Sequence, residues 1–334
     1  MKPPNTDMET LTAYELRAHG EEHYRAVAAT EDIDQFCSSL DWILPAHEAF
    51  IPDHPLHLRR SSAGFVTLAR GFNPRIGRYL QPLEASWCLA CPFVGNDVGA
   101  VVGGFAESCE TTLRDWDLLY LSGIPQDSEI FRSVLRNFHE RHRIGLGHKT
   151  RRYVASLDGG LDGWMGRRSS KFRSNMRRAD RARTDEGVTY EYLSTFEKDF
   201  DAEALYDRVL RVEEKSWKGK SGTGILDGGM NTFYRIMLPR LARRGNLRVL
   251  FARLDGQDIA YVFGGVFGDT YRGLQLSYDD DYGSLSPGNL VQYEIISRLC
   301  EEGTRWYDLG SELDYKSRWA ESRLETITMW VWRD

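Results

Sequence analysis

Between residues 247 and 278 the chain holds three successive β-favouring runs, 247–254, 259–266 and 271–278, parted only by short turns at Gly256-Gln257 and Gly268-Asp269 with one residue on either side. Turns this short leave the runs one arrangement, consecutive antiparallel strands joined by hairpins. A loop, DDYGSLSPG, follows, then a helical stretch over 289–302 closed by Gly303, a strand over 305–309 ending at Gly310, and a last strand over 326–332. Strands that alternate with helices in this way specify an α/β layer structure with mixed sheets.

The first half repeats the style. Short aromatic and β-favouring runs at 63–68, 87–93 and 116–121 predict strands, and 107–113 and 130–142 predict helices. In the second helix Phe131, Val134, Leu135 and Phe138 recur at i, i+3, i+4 and i+7. Glycines 145, 147, 159, 160 and 163 punctuate the middle of the chain and predict a boundary there. A length of 334 residues is enough for two domains at ~100 to 200 residues each. The expected division is a polar lead-in over 1–31, a first domain over 32–155 and a second over 156–334. No repeat of ~20 to 50 residues is visible, which removes a solenoid.

Composition narrows the function classes. Forty-three basic against 49 acidic residues leave a net charge of −6, against wholesale coating of nucleic acid or anionic lipid. No apolar run approaches the ~18 residues of a membrane span, and the N-terminus lacks a basic segment followed by an apolar one. Five cysteines, an odd number, fit a reducing compartment. A cytoplasmic protein is the expectation.

Four stretches carry chemistry. At Ser286, Pro287, Gly288, Asn289 and Leu290 a glycine enters a helix, where unpaired N–H groups and the positive dipole end suit a pyrophosphate; taken alone, the same letters favour a plain Ser N-cap with Pro at the first position and no ligand. Between Arg167 and Arg183 stand eight Lys or Arg residues, with Arg173, Arg177 and Arg181 on one helical face, either a platform for phosphate or carboxylate groups or a solvated charged face. No aromatic interleaving supports base stacking there. Asp308, Glu312, Asp314, Tyr315 and Lys316 follow a strand end, where open α/β sheets place ligand chemistry. Asp308 or Glu312 is the expected base and Tyr315 the expected acid, against the alternative of a solvated connection. Trp217 and Lys218, in KSWKGKSGTG, line a pocket or cap a loop.

Other candidates fall away. Cys88 and Cys91 lie in an apolar run read as a strand, where alternation points them to opposite faces, and no second pair stands at ligand spacing, so no metal site is expected. All eight histidines precede residue 149 and Gly-x-Ser-x-Gly is absent, which leaves serine-hydrolase chemistry without support. Gly99, Gly103 and Gly104 lack the dinucleotide spacing.

The ordered series YVASLDGGLDGWMGRRSSKFRSNMRRADR, EEKSWKGKSGTGIL, RLDGQDIAYVFGGVFGDTYRGLQLSYDDDYGSLSPGNLVQYEIISRL and GTRWYDLGSELDYKSRWA resembles the CelD/BioF-like acetyltransferase family. That family lies within the GNAT acyl-CoA N-acyltransferase superfamily and is distantly related to the Fem aminoacyl-tRNA transferases. QPLEASWCLACPFVGND and RDWDLLYLSGIPQDS extend the resemblance to the first half, so that it covers residues 32–334. It implies two tandem GNAT-like domains, the first degenerate and the second holding the acyl donor, with the acceptor in the cleft between them.

By the same resemblance, residues 274–278, with Leu276 and Tyr278, are the splayed strand along which the donor lies, and Ser286, Gly288, Asn289 and Leu290 are the grip on its pyrophosphate. Lys316 matches a lysine that Fem-like enzymes place near donor phosphates, and Arg173, Arg177, Trp217 and Lys218 are the expected substrate contacts. The implied reaction is transfer of an acyl group from acyl-CoA to an amine of a small molecule, peptide or saccharide, with no tightly bound cofactor. Ser-Leu-Ser-Pro-Gly stands where other members carry Arg or Gln and spaced glycines, which leaves room for an acyl carrier protein as donor. The alternative is Fem-like aminoacyl transfer from tRNA to a peptide or cell-wall precursor; the absence of an inserted helical hairpin in the second half argues against it.

Overall fold

The computed structural model describes residues 8–333. The chain forms two compact units. The first extends to Arg151 and takes back the residues from Glu325 onward, and the second is Arg152–Leu324. The strands, in chain order, are β1 (Glu9–Leu11), β2 (Leu56–Ser61), β3 (Gly64–Asn73), β4 (Gly77–Pro82), β5 (Phe93–Gly95), β6 (Leu118–Ile124), β7 (His142–Ser156), β8 (Thr189–Leu193), β9 (Leu247–Leu254), β10 (Gln257–Phe267), β11 (Thr270–Tyr278), β12 (Trp306–Ser311) and β13 (Ser322–Arg333).

In unit one the strand order is β1-β2-β3-β4-β6-β13, with β5 beside β3; every successive pair is antiparallel except β4 and β6. In unit two the order is β8-β9-β10-β11-β12-β7, again antiparallel throughout except for β11 and β12. Strand for strand the two orders and senses coincide. A parallel pair cannot be closed by a hairpin and needs a crossover. Helix Val98–Thr111 supplies it before β6, and helix Pro287–Glu301 before β12. The mixed α/β class, in two halves of one topology, is thus visible.

The hairpins at 247–278 form as their turns require, and they bury the centre of unit two's sheet. Val262, Ile295 and Leu299 join Trp164, Phe172 and Trp319 in the core on the crossover-helix side. Trp164 stacks on Trp319 with centroids 5.8 Å apart, and Phe172 meets Trp319 edge-on at 5.0 Å. Phe172 and Met176, one turn apart, anchor the basic helix Ser170–Asp185, whose N-cap Ser169 accepts the Phe172 N–H. That fixes the arginine face away from the core.

The lead-in is partly helical over its described part: β1 pairs β2, and Thr12 and Glu15 make a capping box at helix Ala13–Ala18. Its first residues, 1–7, lie outside the described residues. The last strand groups with unit one from Glu325 onward, because Ile327 and residues 329–332 pair with β6; sequence order alone cannot show a strand returning across a boundary. Residues 87–92 are no strand. The buried Glu84 carboxylate accepts the N–H groups of Trp87, Cys88, Leu89 and Ala90, and Cys88 adopts φ 57°, so this segment curls around an acid instead of extending.

Candidate functional site

The site is a fork in unit two's sheet. β11 and β12 pair at Thr270–Trp306, Tyr271–Tyr307 and Arg272–Asp308, and no further, although both strands continue beyond that point. On β11's other edge Phe263 pairs with Gln275 but Gly264 with Gly273, so Leu274 is an inserted residue that bends the strand. On the β12 side Gly310, at φ 76°, turns the chain, and its N–H bonds Asp308 Oδ1 at 2.7 Å. Asp308 also pairs with Arg152 and, at 3.2 Å, with Arg272 Nη1; all three side chains are buried. The bulge and the ion cluster together hold the fork open at its base.

This placement bears on the expected base. The neighbouring guanidiniums of Arg272 and Arg152 and the Gly310 N–H hold the Asp308 carboxyl below the usual carboxylate range, against the opposing effect of burial. An acid so held anchors the fork instead of collecting protons. Glu312 accepts from Tyr153 Oη at 3.3 Å and pairs with Arg323 at 3.2 Å. Tyr315 is exposed, its ring 5.9 Å from Lys316 Nζ. Asp308, Glu312 and Tyr315 thus each have different neighbours: the arginines of the cluster, Tyr153 with Arg323, and Lys316.

Two lysines flank the open arms of the fork. Lys316 Nζ donates to Ser311 O at 2.9 Å, and burial beside Arg272 and Lys218 pulls its amine down to about 8 against the attraction of Asp308. Lys218 Nζ donates to Leu276 O at 2.7 Å and Gln275 Oε1 at 3.2 Å. Leu276 O thus faces the edge that β12 has left. The N–H and C=O of one strand residue point the same way, so the Leu276 N–H faces that edge too. Trp217, beside Lys218, is exposed.

The helix entrance is sparing in donors. Ser286 takes the left-handed conformation with no side-chain cap, Pro287 has no N–H, and the N–H groups of Asn289 and Leu290 both go to Ser286 O. Gly288 keeps the only N–H of the first turn without an acceptor among the described residues. Its lack of a side chain lets Tyr278 and Leu276 pack onto it: a Cβ there would lie 3.0 Å from the Tyr278 ring. Leu290 is a core residue, 1% exposed, and offers a ligand nothing. Asp280 and Asp281 precede this turn, while the basic helix packs beside segment 280–285. Arg177 on that helix is exposed, and Arg173 donates to Arg168 O at 2.5 Å.

Sequence reasoning passed over Arg152, Arg272, Gln275 and Glu213. Glu213 had a signal: it stands four residues after Val209, on the apolar stripe of helix Ala202–Lys215, where an acid is out of place.

Residues 170–317 match the family described as Acetyltransferase (GNAT) domain. The match lies wholly within unit two and supports acyltransferase activity there. No curated protein matches the sequence. Among solved structures, FemX is similar at 12% identity with TM-score 0.64, over 96% of each chain. A conserved protein of unknown function from Bacteroides thetaiotaomicron VPI-5482 aligns at 12% identity and TM-score 0.63, over 98% of this chain and 99% of that one. The structure named L-PGS from Bacillus licheniformis aligns at 11% and 0.54, over 97% and 93%. At such identities the likeness is one of fold, and it spans both units.

Proposed function

We propose that the chain is an N-acyltransferase of the CelD/BioF-like kind, moving an acyl group from a thioester, on CoA or an acyl carrier protein, to an amine. The observation that carries this reading is the fork. A bulged strand loses its parallel partner and presents the Leu276 N–H along an open edge, and the helix that follows begins at a glycine packed on that same strand. An acyl thioester laid along this edge has its carbonyl oxygen within reach of a fixed backbone donor, which stabilises the negative charge that develops when the amine attacks. Arg173 and Arg177 supply positive charge for donor phosphates that the single free N–H of Gly288 does not. Lys316 supplies it near the base of the fork. A cytoplasmic location suits the five free cysteines, four of them buried.

A screen of the full-length protein against acyl-CoA thioesters and a pool of primary amines, read by free-thiol release, tests the reading. Amine-dependent thiol release with at least one pair is the expected result; none with any donor contradicts it. The basic helix favours one second reading, aminoacyl transfer from tRNA, as in the Fem relatives. Salt-sensitive binding of charged tRNA would support that reading, and no binding at low salt would dismiss it.

A further inference from the structure

Beneath the fork lies an acid that the reading above does not use. Glu213 is fully buried; its Oε2 accepts from Tyr261 Oη at 2.9 Å and from Ser216 Oγ at 3.4 Å. Its Oε1 accepts no hydrogen bond among the described residues and lies 4.0 Å from Lys218 Nζ. The surrounding sequence is shaped to this acid. A Cβ on Gly224 would come within 2.4 Å of Glu213 Oε1, and one on Gly219 within 2.1 Å of Glu213 O. Ser216 caps the short helix Trp217–Lys220 through the Gly219 N–H, which turns Lys218 back toward the strand. Gln275, which also receives Lys218, is itself fixed by donating to Tyr234 Oη at 3.1 Å. The motif KSWKGKSGTG is thus a mount that holds one amine between a buried carboxylate and the open edge of β11.

We propose that Lys218 is the proton carrier of acyl transfer and that Glu213 is its positioning residue. The inference rests on the N-acyltransferase reading. The amine nitrogen forms the C–N bond, and its surplus proton passes to neutral Lys218 Nζ. The C–S bond then breaks, sulfur keeps the electron pair, and the Lys218 ammonium returns the proton to the thiolate. Lys218 ends neutral, so no further reactant is needed. Burial draws its amine below the usual lysine range, and the Glu213 carboxylate opposes that fall. The nearby titratable groups are Lys316, whose own amine the charge of Lys218 pulls down, and the phenols of Tyr234 and Tyr261, which bond the flanking Gln275 and Glu213.

The test uses the donor and amine found active in the thiol-release screen. Lys218→Met is expected to lower kcat by about 10²- to 10⁴-fold, with the donor KM changed by no more than about twofold. Glu213→Gln removes the charge that holds the lysine protonated, so the limb on which kcat rises with pH moves to lower pH. A merely structural role would lower kcat and leave that limb in place. Wild-type protein is also labelled with acetic anhydride across a pH series and read by mass spectrometry; Lys218 is expected to become reactive at lower pH than exposed lysines. Lys218→Met retaining kcat within about threefold, or Lys218 labelling like an ordinary lysine, overturns the proposal and leaves the N-acyltransferase reading standing. Failure of the wild type to transfer to any amine removes both.

Discussion

The two units share one strand order and one fork, yet they treat the fork in opposite ways. In unit one β4 and β6 pair only at Tyr79–Leu118 and Leu80–Leu119 before parting. The parted strands are bridged by the chain itself. A Cβ on Gly123 (φ 65°) would lie 2.5 Å from the backbone of Ala90 and Leu89, and Ser122 Oγ donates to Ala90 O at 3.3 Å. The Glu84 carboxylate pins that bridging loop through four N–H groups. In unit two the corresponding turn glycine, Gly310, has no backbone over it at that range; the nearest groups to its missing Cβ are Arg272 Nη1 at 3.3 Å and Lys316 Nζ at 3.8 Å. One fork is closed with backbone and the other is lined with cations. Topology is common to both, so the chemistry follows from what fills the fork and not from the fold.

That contrast can be broken most forcefully at Arg272. Arg272→Ala leaves Asp308 buried with one cation fewer, and a loss of about 3 to 5 kcal/mol of stability is expected in urea unfolding, as for other broken buried pairs. A loss under 1 kcal/mol would mean that the cluster does not hold the fork.

The glycines come next. Gly123→Ala meets backbone at a left-handed position and should cost about 2 to 5 kcal/mol, the sum of conformational strain and overpacking, while the surviving folded protein transfers at the normal rate. Gly310→Ala meets first the ends of two long side chains, with the Gly273 O at an ordinary 3.9 Å, so about 1 to 2 kcal/mol of strain is expected, but with a fall in transfer rate. Exchange of these two outcomes would place the working fork in unit one.

The smallest effects are in pH dependence: both groups are cations when protonated, both are held down by burial, and they share a slope. Burial, with Arg59 and Arg70 nearby, holds the His57 imidazole of unit one down to about 3, against 6.5 when free. Between those values the unfolded chain binds more protons, so stability is lost as pH falls from 6.5 toward 3, and His57→Gln should flatten that slope in melting curves. Lys316 of unit two, at about 8 against 10.5, binds fewer protons folded than unfolded across that window. Stability should therefore rise with pH from 8 to 10.5, less steeply in Lys316→Met.

What the sequence disclosed follows the range of the interactions concerned. The hairpins of β9 to β11 and the helix Pro287–Glu301 are set by alternation and by turns a few residues long, and both are legible to within two or three residues. The strand expected at 87–93 failed because Glu84, three residues upstream, outcompetes extended pairing for four N–H groups. Arg152 joins Asp308 across 156 residues, and no local pattern announces such a pair. Lys218 and Lys316 were singled out from their motifs, but their separate relations, one to Leu276 and Glu213, the other to Gly310 and Arg272, appear only once β11 and β12 part. Leu290 was chosen for its place in a motif, and the register of its helix buries it.

The claim that acyl donor engages the fork of unit two and not that of unit one is tested most directly by hydrogen–deuterium exchange on the full-length protein, with and without the acyl-CoA found active. Slowed exchange in peptides covering 274–278 and 287–291, with 79–90 and 118–124 unchanged, is the predicted result. Slowed exchange confined to 79–90 and 118–124 would contradict the account.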